Sequence, residues 1–419
     1  MPNPSGGALS GIRVLDATQM LAGPLAASRL GDLGADVIKI EATSGGEFNR
    51  SHGFEDAQVS GEMTTFLAVN RNKRSLALNL KHPAAGQIMA DLVRQADVFL
   101  QNFRTGTAER LGIDYQRLQA INPDLVYCSI SGYGPDGPYR DRPGQDLILQ
   151  GYSGSMFSVG AAGDPPAPGA LWSADVMAGY QAVIAILAAL NARQRIGQGQ
   201  LVQVDMLTVV LDAQLQELVT YLNTGRKPRR TAEASAHGSI PAPYGVYQTA
   251  DGWLTLAMSP LPNLGEMLDD DWLRGLTRYN DGQLRRDEVY RRVRHAFEGR
   301  TTAEWIELAD KHGVWAGPVY DYEDVVNDPH VQATGLLTTQ SQSDGSTVRT
   351  VRPPLRLSQT PPTISRGAPA LGEHTTEILT ELGYSQAKID SLAAGGAVRL
   401  APSPTPRLAL TPAQPGGPR

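Results

Sequence analysis

Asp175 stands in the stretch Trp172-Ser173-Ala174-Asp175, where a segment rich in Gly and Pro gives way to a long apolar run. A carboxylate at a helix start is favoured in its ionised form by the free N–H groups and the helix dipole. That is the form a nucleophile needs. Taken alone, an Asp in this place is first of all a helix cap. Gln145 precedes Asp146. Its amide can donate hydrogen bonds to a carbonyl or carboxylate, but it exchanges no proton at neutral pH; taken alone it packs a loop. Lys81, Arg104 and Arg110 each follow a strand-like segment. Such cations are either solvated surface charges or donors to one anionic ligand.

Other chemistries lack their residues. The single cysteine, Cys128, rules out an internal disulfide framework and a thiolate-rich metal site. The seven histidines, at positions 52, 82, 237, 295, 312, 330 and 374, include no H-x-x-x-H pair, so no metal site is expected. No lysine follows a glycine, which removes the P-loop, and no G-x-S-x-G elbow is present. Gly197-Gln198-Gly199 lies between a helix and a strand, the wrong context for a dinucleotide fingerprint. With 43 acidic against 37 basic residues the formal charge is −6, and a general nucleic-acid binder would need a basic face.

The elements that would position these residues alternate in type over the first 130 positions. Strands are expected at Ile12–Asp16, Asp36–Glu41, Ser75–Leu80, Asp97–Gln101 and Leu125–Ser131. Helices are expected at Leu25–Leu33, Pro83–Gln95 and Tyr115–Ile121. Strands separated by helices imply right-handed crossovers and a parallel, doubly wound α/β sheet. Ligands on such sheets sit at the carboxyl ends of the strands. A helix near Val176–Arg195 is apolar nearly all round and is expected to be buried. It is too short and too interrupted for a membrane span. Gln200–Leu207 reads as a strand. Tyr244–Gln248 and Trp253–Met258 flank a turn signal at residues 249–252. Helices follow near Leu284–Phe297, Thr302–His312 and Glu373–Leu382.

These signals divide the chain into a large domain begun by residues 1–225 and a smaller α/β domain over 226–325. Residues 326–400 return to the large domain, and 401–419 form a disordered tail with six prolines. The N-terminus lacks the basic and apolar regions of a signal peptide, so a cytoplasmic protein without a membrane or nucleic-acid partner is expected.

A set of collinear motifs carries a resemblance. Residues 11–16 (GIRVLD), Ala22-Gly23-Pro24 and residues 33–41 (LGADVIKIE) resemble the opening of the family III CoA-transferases. The match continues through residues 70–75 (NRNKRS), 78–81 (LNLK), Asp97-Val98, Asn102-Phe103-Arg104, residues 132–138 (GYGPDGP), Ala174-Asp175 and residues 371–375 (LGEHT). The family includes formyl-CoA and carnitine CoA-transferases and shares its fold with α-methylacyl-CoA racemase. The resemblance implies a homodimer of subunits threaded through each other like chain links. The large domain would come from both ends of the chain and the small one from the middle.

The resemblance also implies chemistry at Asp175. Its carboxylate attacks an acyl-CoA thioester, forming a mixed anhydride and releasing CoA thiolate. CoA transfer to a carboxylic acid then runs through an aspartyl-CoA thioester at the same carboxylate. One difficult step becomes several near-balanced ones. CoA is here a substrate, and no permanently bound cofactor is implied. The positions matching the family's CoA contacts are Met20, Ala22, Leu78, Leu80, Lys81, Asn102, Phe103, Arg104 and Arg110.

Departures from the pattern bear on the details. The cation that follows the second strand in formyl-CoA transferase is Ala42 here. A lysine before the active site is Pro143, with Arg140 and Arg142 as candidates to compensate. Where a racemase has a histidine beside an aspartate, this chain has Gln145 beside Asp146, which favours a transferase. The alternatives are a racemase or isomerase and a non-catalytic CoA-binding protein. The segment Ser259–Gly265, with two prolines, replaces the glycine-rich lid of several transferases. It is expected to form a stiffer lid, with Trp253, Tyr244 and Met258 either in an acyl pocket or in hairpin packing.

Overall fold

The computed structural model describes residues 6–401. They group into two compact units. The first comprises residues up to 143, 175–205 and from 335 onward; the second comprises 144–174 and 206–334. The expected change of character at 226 lies inside the second unit. The chain crosses earlier because the expected strand over 200–207 stops at Asp205 and a helix begins at Met206. The loop-like segment 144–174 contributes a helix, Asp146–Ser153, to the second unit. The expected Pro-rich tail lies outside the described residues apart from Ala401.

The first unit is built on a seven-stranded sheet. Its strands are β1 (Arg13–Asp16), β2 (Asp36–Glu41), β3 (Lys73–Leu78), β4 (Val98–Gln101), β5 (Val126–Ser131), β6 (Leu201–Asp205) and β7 (Val398–Arg399). They lie in the order β7-β3-β2-β1-β4-β5-β6. All neighbours are parallel except β7, which pairs antiparallel with β3 at the edge. The winding runs from β1 out to β3, then returns to β4 on the other side of β1. The crevice between β1 and β4 is therefore the switch point where such sheets take ligands.

Alternation along the strands explains both faces. Leu15, Ile38, Ile40, Leu76 and Leu78 pack in one core with α2 (Ala85–Arg94) and with Ile378, Leu379 and Ile389 of the return segment. The intervening residues, Asp16, Lys39, Glu41, Lys73 and Ser75, belong to the opposite face. That is the face of α1 (Ala22–Asp32), since the Lys73 ammonium donates to the Pro24 carbonyl at 3.0 Å. Asp16 stands beside Lys39, and Lys39 beside Ser75, in register.

The long helix α3 (Ser173–Ile196) packs against α1 through Gly179, where a Cβ would meet the Ala22 carbonyl oxygen at 2.8 Å. Ala178, Ala182 and Ile186 are fully buried, but Met177, Tyr180 and Ile184 are exposed. The expectation of an all-round buried helix holds for one face only. By length and composition α3 could cross a membrane, yet 44% of its most apolar window is buried within the chain.

The second unit holds an antiparallel sheet of Gly245–Gln248, Trp253–Leu256 and Ala316–Pro318. Tyr247, Leu254 and Leu256 pack in its core with Leu264, Tyr290, Val293, Phe297 and Trp305. The expected lid segment is a helix, Leu261–Leu268, because proline is tolerated in a first helical turn. Leu261, Leu264 and Gly265 of this helix are buried. Trp253 and Met258 are exposed.

Candidate active site

A cavity of about 320 Å³ opens at the carboxyl ends of β1, β2 and β3. Ala17, Thr18 and Gln19 follow β1, residues 42–44 with Gly46 and Glu47 follow β2, and Leu78 to Lys81 end or follow β3. Phe103 and Leu111 supply apolar wall from the far side of the switch point. Four of the nine CoA candidates, Leu78, Leu80, Lys81 and Phe103, thus line one cavity. Lys81 is exposed there, with its N–H held by the Asn79 side chain at 3.1 Å. Arg104 lines a second cavity of about 170 Å³ with Gln101, Phe103 and Tyr127. Arg110 is exposed and bonds Thr107 at 2.7 Å. Ala22 is buried at the start of α1, and Met20 precedes it in the loop. Arg142 lies over the Tyr139 ring at 4.1 Å, while Arg140 is exposed and its carbonyl accepts from Thr105.

The loop after β1 is gripped at every backbone polar group from 18 to 20. Thr18 N–H bonds Asp16 at 2.9 Å, and the Thr18 carbonyl accepts from Lys39 at 3.0 Å. Gln19 N–H and C=O pair with the two ends of the Asn102 amide at 2.9 and 2.8 Å. Met20 N–H bonds Glu47 at 3.0 Å, and the Met20 carbonyl accepts from Asn49 at 2.7 Å. Met20 has φ 68°, a left-handed conformation that non-glycine residues seldom adopt.

Beneath this loop lies a buried charge network. Lys73 donates to Asp16 and to Asn70 at 2.8 Å each, and Asn70 donates to Glu47 at 3.1 Å. Lys39 stands 3.7 Å from Asp16 and 3.8 Å from Glu47. Burial alone would raise the Asp16 carboxyl, but the Lys39 and Lys73 ammonium groups hold it below the ordinary carboxylate value. Burial, with Lys39 nearby, brings Lys73 down to about 8. Burial also opposes the charge of Lys39, but Asp16 and Glu47 outweigh it and raise its pKa. None of Asp16, Lys39, Glu47, Asn49 or Lys73 was singled out by sequence reasoning. The available signal was charge at alternate positions of otherwise apolar strands, Lys39 and Glu41 in DVIKIE above all.

Asp175 is half-buried in the first turn of α3. Asp146 accepts from Ala174 N–H at 2.7 Å and from Gln150 at 2.6 Å. Gln145 is exposed, precedes the helix Asp146–Ser153 and belongs to the second unit. Among the described residues no group of His, Cys, Asp and Glu is placed to hold a metal ion.

Two motifs of the resemblance join each other away from the cavity. Ser75 N–H donates to His374 Nδ1 at 3.2 Å, and His374 N–H to the Ser75 carbonyl at 3.0 Å. Arg74 binds Asp36, Glu377 and Glu381, and Asn72 accepts from Ser365 and Arg366. These residues fasten the return segment to β3.

A doubly wound sheet with a cavity at its switch point defines the class: an α/β protein of the kind that takes small ligands at the carboxyl ends of its strands. Residues 9–375 match the model of CoA-transferase family III, and the chain belongs to that family. It is 37% identical to a succinate–glutarate CoA-transferase of Agrobacterium fabrum, across 89% of this chain and 95% of that one. It is 35% identical to the beta subunit of a succinyl-CoA–L-malate CoA-transferase of Chloroflexus aurantiacus, across 92% and 96%. A crystal structure of a CAIB/BAIF family protein from Brucella suis superposes with a TM-score of 0.80 at 32% identity, covering 90% of this chain and all of that one. The chain is an enzyme of the CoA-transferase type.

Proposed function

We propose that the protein moves CoA from a dicarboxylic acyl-CoA, with succinyl-CoA as the leading donor, to a second carboxylic acid, through covalent chemistry at Asp175. The observation that carries this reading is the cavity at the switch point, lined by Leu78, Leu80, Lys81 and Phe103. Phe103 and the two leucines give an apolar slot suited to adenine, while Lys81 with Arg104 and Arg110 supplies cations for phosphates. The dicarboxylic substrate class rests on the names of the two relatives, which specify succinate, glutarate and malate.

Asp175 in this scheme attacks the thioester carbonyl, and the C–S bond breaks to release CoA thiolate. The thiolate then attacks the aspartyl carbonyl of the anhydride, releasing the donor acid. The acceptor carboxylate reverses both steps, leaving its own CoA ester and free Asp175. Gln145 is proposed to donate a hydrogen bond to the reacting carbonyl or carboxylate. The active form is proposed to be the interlocked homodimer, which would cover the exposed Met177, Tyr180 and Ile184 face of α3 and the helix Leu215–Thr224, none of whose residues is buried. A cytoplasmic setting belongs to the same reading.

Mass spectrometry with an acyl-CoA panel and hydroxylamine trapping tests it. A donor-dependent adduct on Asp175 is expected, largest with succinyl-CoA. Asp175→Ala should lose turnover by at least about 10³-fold, the scale of losing a nucleophile, and still bind CoA. Full turnover in that variant would refute the covalent scheme. Deuterium entering the α-carbon of a chiral 2-methylacyl-CoA would point instead to an isomerase.

A further inference from the structure

We propose that Glu47 and Asn102 are positioning residues for the loop 18–20, holding it in its bound shape before CoA arrives. The inference rests on the reading that the switch-point cavity takes CoA, and it adds which residues make that cavity ready.

The two grips come from the ends of different strands. Glu47 lies in the segment after β2 and Asn102 directly after β4, so together with β1 they span the switch point. Asn102 offers its amide to Gln19 as a neighbouring strand would, one donor and one acceptor to the same residue. The family resemblance makes Asn102 a CoA contact. Here both ends of its amide are already engaged by the loop, which makes it a clamp on the cavity wall. Glu47 accepts the N–H of Met20, the residue with the left-handed backbone. A methionine keeps that conformation only where its surroundings impose it. Glu47 is itself fixed, since it is 4% exposed, takes a hydrogen bond from Asn70 and lies 3.8 Å from Lys39. Asn70 is in turn held by Lys73. The loop is therefore tied to the sheet's buried charges rather than to solvent.

A wall ordered in advance spares the ligand the entropy of ordering it. Removing a grip should weaken acyl-CoA binding while leaving the reacting groups in place. Asn102→Ala is expected to raise the acyl-CoA KM about tenfold, the loss of one to two hydrogen bonds' net worth, with kcat within about twofold. Hydrogen exchange of the peptide covering residues 17–21 should quicken in the ligand-free enzyme and slow again at saturating CoA. Glu47→Gln keeps an acceptor for Met20 N–H and should fall between wild type and Glu47→Ala. Should Glu47→Ala not fold, Asn102→Ala and Asn49→Ala, both at less buried positions, carry the test.

Unchanged exchange in Asn102→Ala overturns the proposal, because Asn102 would then act by direct contact with CoA. Faster exchange with unchanged CoA affinity also overturns it, because the loop's order would not serve the ligand. If CoA protects neither 17–21 nor 78–81 in the wild type, the reading of the cavity fails and takes the proposal with it. That result is distinct, since the variants would still show the faster exchange of a released loop.

Discussion

Asp16 shows what a single charged residue contributes to this site. It is fully buried, takes a hydrogen bond from Lys73, lies 3.7 Å from Lys39 and accepts both polar groups of Thr18. Asp16→Asn would leave two buried ammonium groups short of a counter-charge. A loss of about 3–5 kcal/mol in unfolding free energy, read by urea denaturation, is expected for breaking such a pair from one side. The pH dependence follows from the same partners. Asp16 titrates below its ordinary value in the folded chain. Its contribution is therefore complete above about pH 4 and is lost as pH falls through the lower native value. Asp16→Asn should flatten that acid limb. Lys73 acts with the same sign in a more alkaline window, because the folded chain releases its proton near pH 8 while the unfolded chain holds it to 10.5. Its share of stability rises with pH across that interval.

At the level of elements, the glycine pair that fails as a nucleotide fingerprint has two structural tasks. Gly197, with φ 71°, ends α3 in the left-handed conformation. At Gly199, just before β6, a Cβ would meet the Leu125 carbonyl oxygen at 2.1 Å. Gly199→Ala must push β6 from β5 and is expected to cost about 2–3 kcal/mol, the upper range for overpacking. Gly197→Ala should cost about 1–2 kcal/mol, the strain of a left-handed residue with a Cβ. Thermal unfolding of the two variants ranks them. Elements set by local pattern are legible in the sequence: β2 spans Asp36–Glu41, and the helices Tyr115–Ile121 and Thr302–His312 fall where expected. The last begins with a capping box of Thr301 and Glu304, a purely local device. Elements set by distant partners are not legible. β3 begins at Lys73 rather than Ser75, since a buried Lys-Arg pair makes sense only once Asp16, Asn70, Asp36 and Glu381 are in place. At the site, motif position locates Leu78, Leu80, Lys81 and Phe103. The grips of Glu47 and Asn49 lie outside those motifs, and only the fold brings them to Met20.

For the whole molecule, α3 poses a question of partnership. One face is buried in the first unit, and Met177, Tyr180 and Ile184 line the other at helical spacing. Exposed apolar surface of this kind marks an interaction site. In the proposed interlocked dimer, light scattering should give twice the chain mass at every dilution. Two differently tagged preparations should fail to exchange subunits unless first unfolded, since threaded chains cannot part. Rapid exchange would mean an ordinary, unthreaded dimer. The first unit also sets an order of events in its own making. β7 closes the edge of β3, yet Val398 is separated from Leu78 by most of the chain, including all of the second unit. During synthesis the edge of β3 emerges before the second unit and waits, unpaired, until Val398 has followed that unit. An open parallel sheet in that state invites wrong pairing with neighbouring nascent chains. Its exposed lifetime on the ribosome is governed by the elongation rate over the second unit, so slow translation there lengthens the time in which a chaperone must shield it.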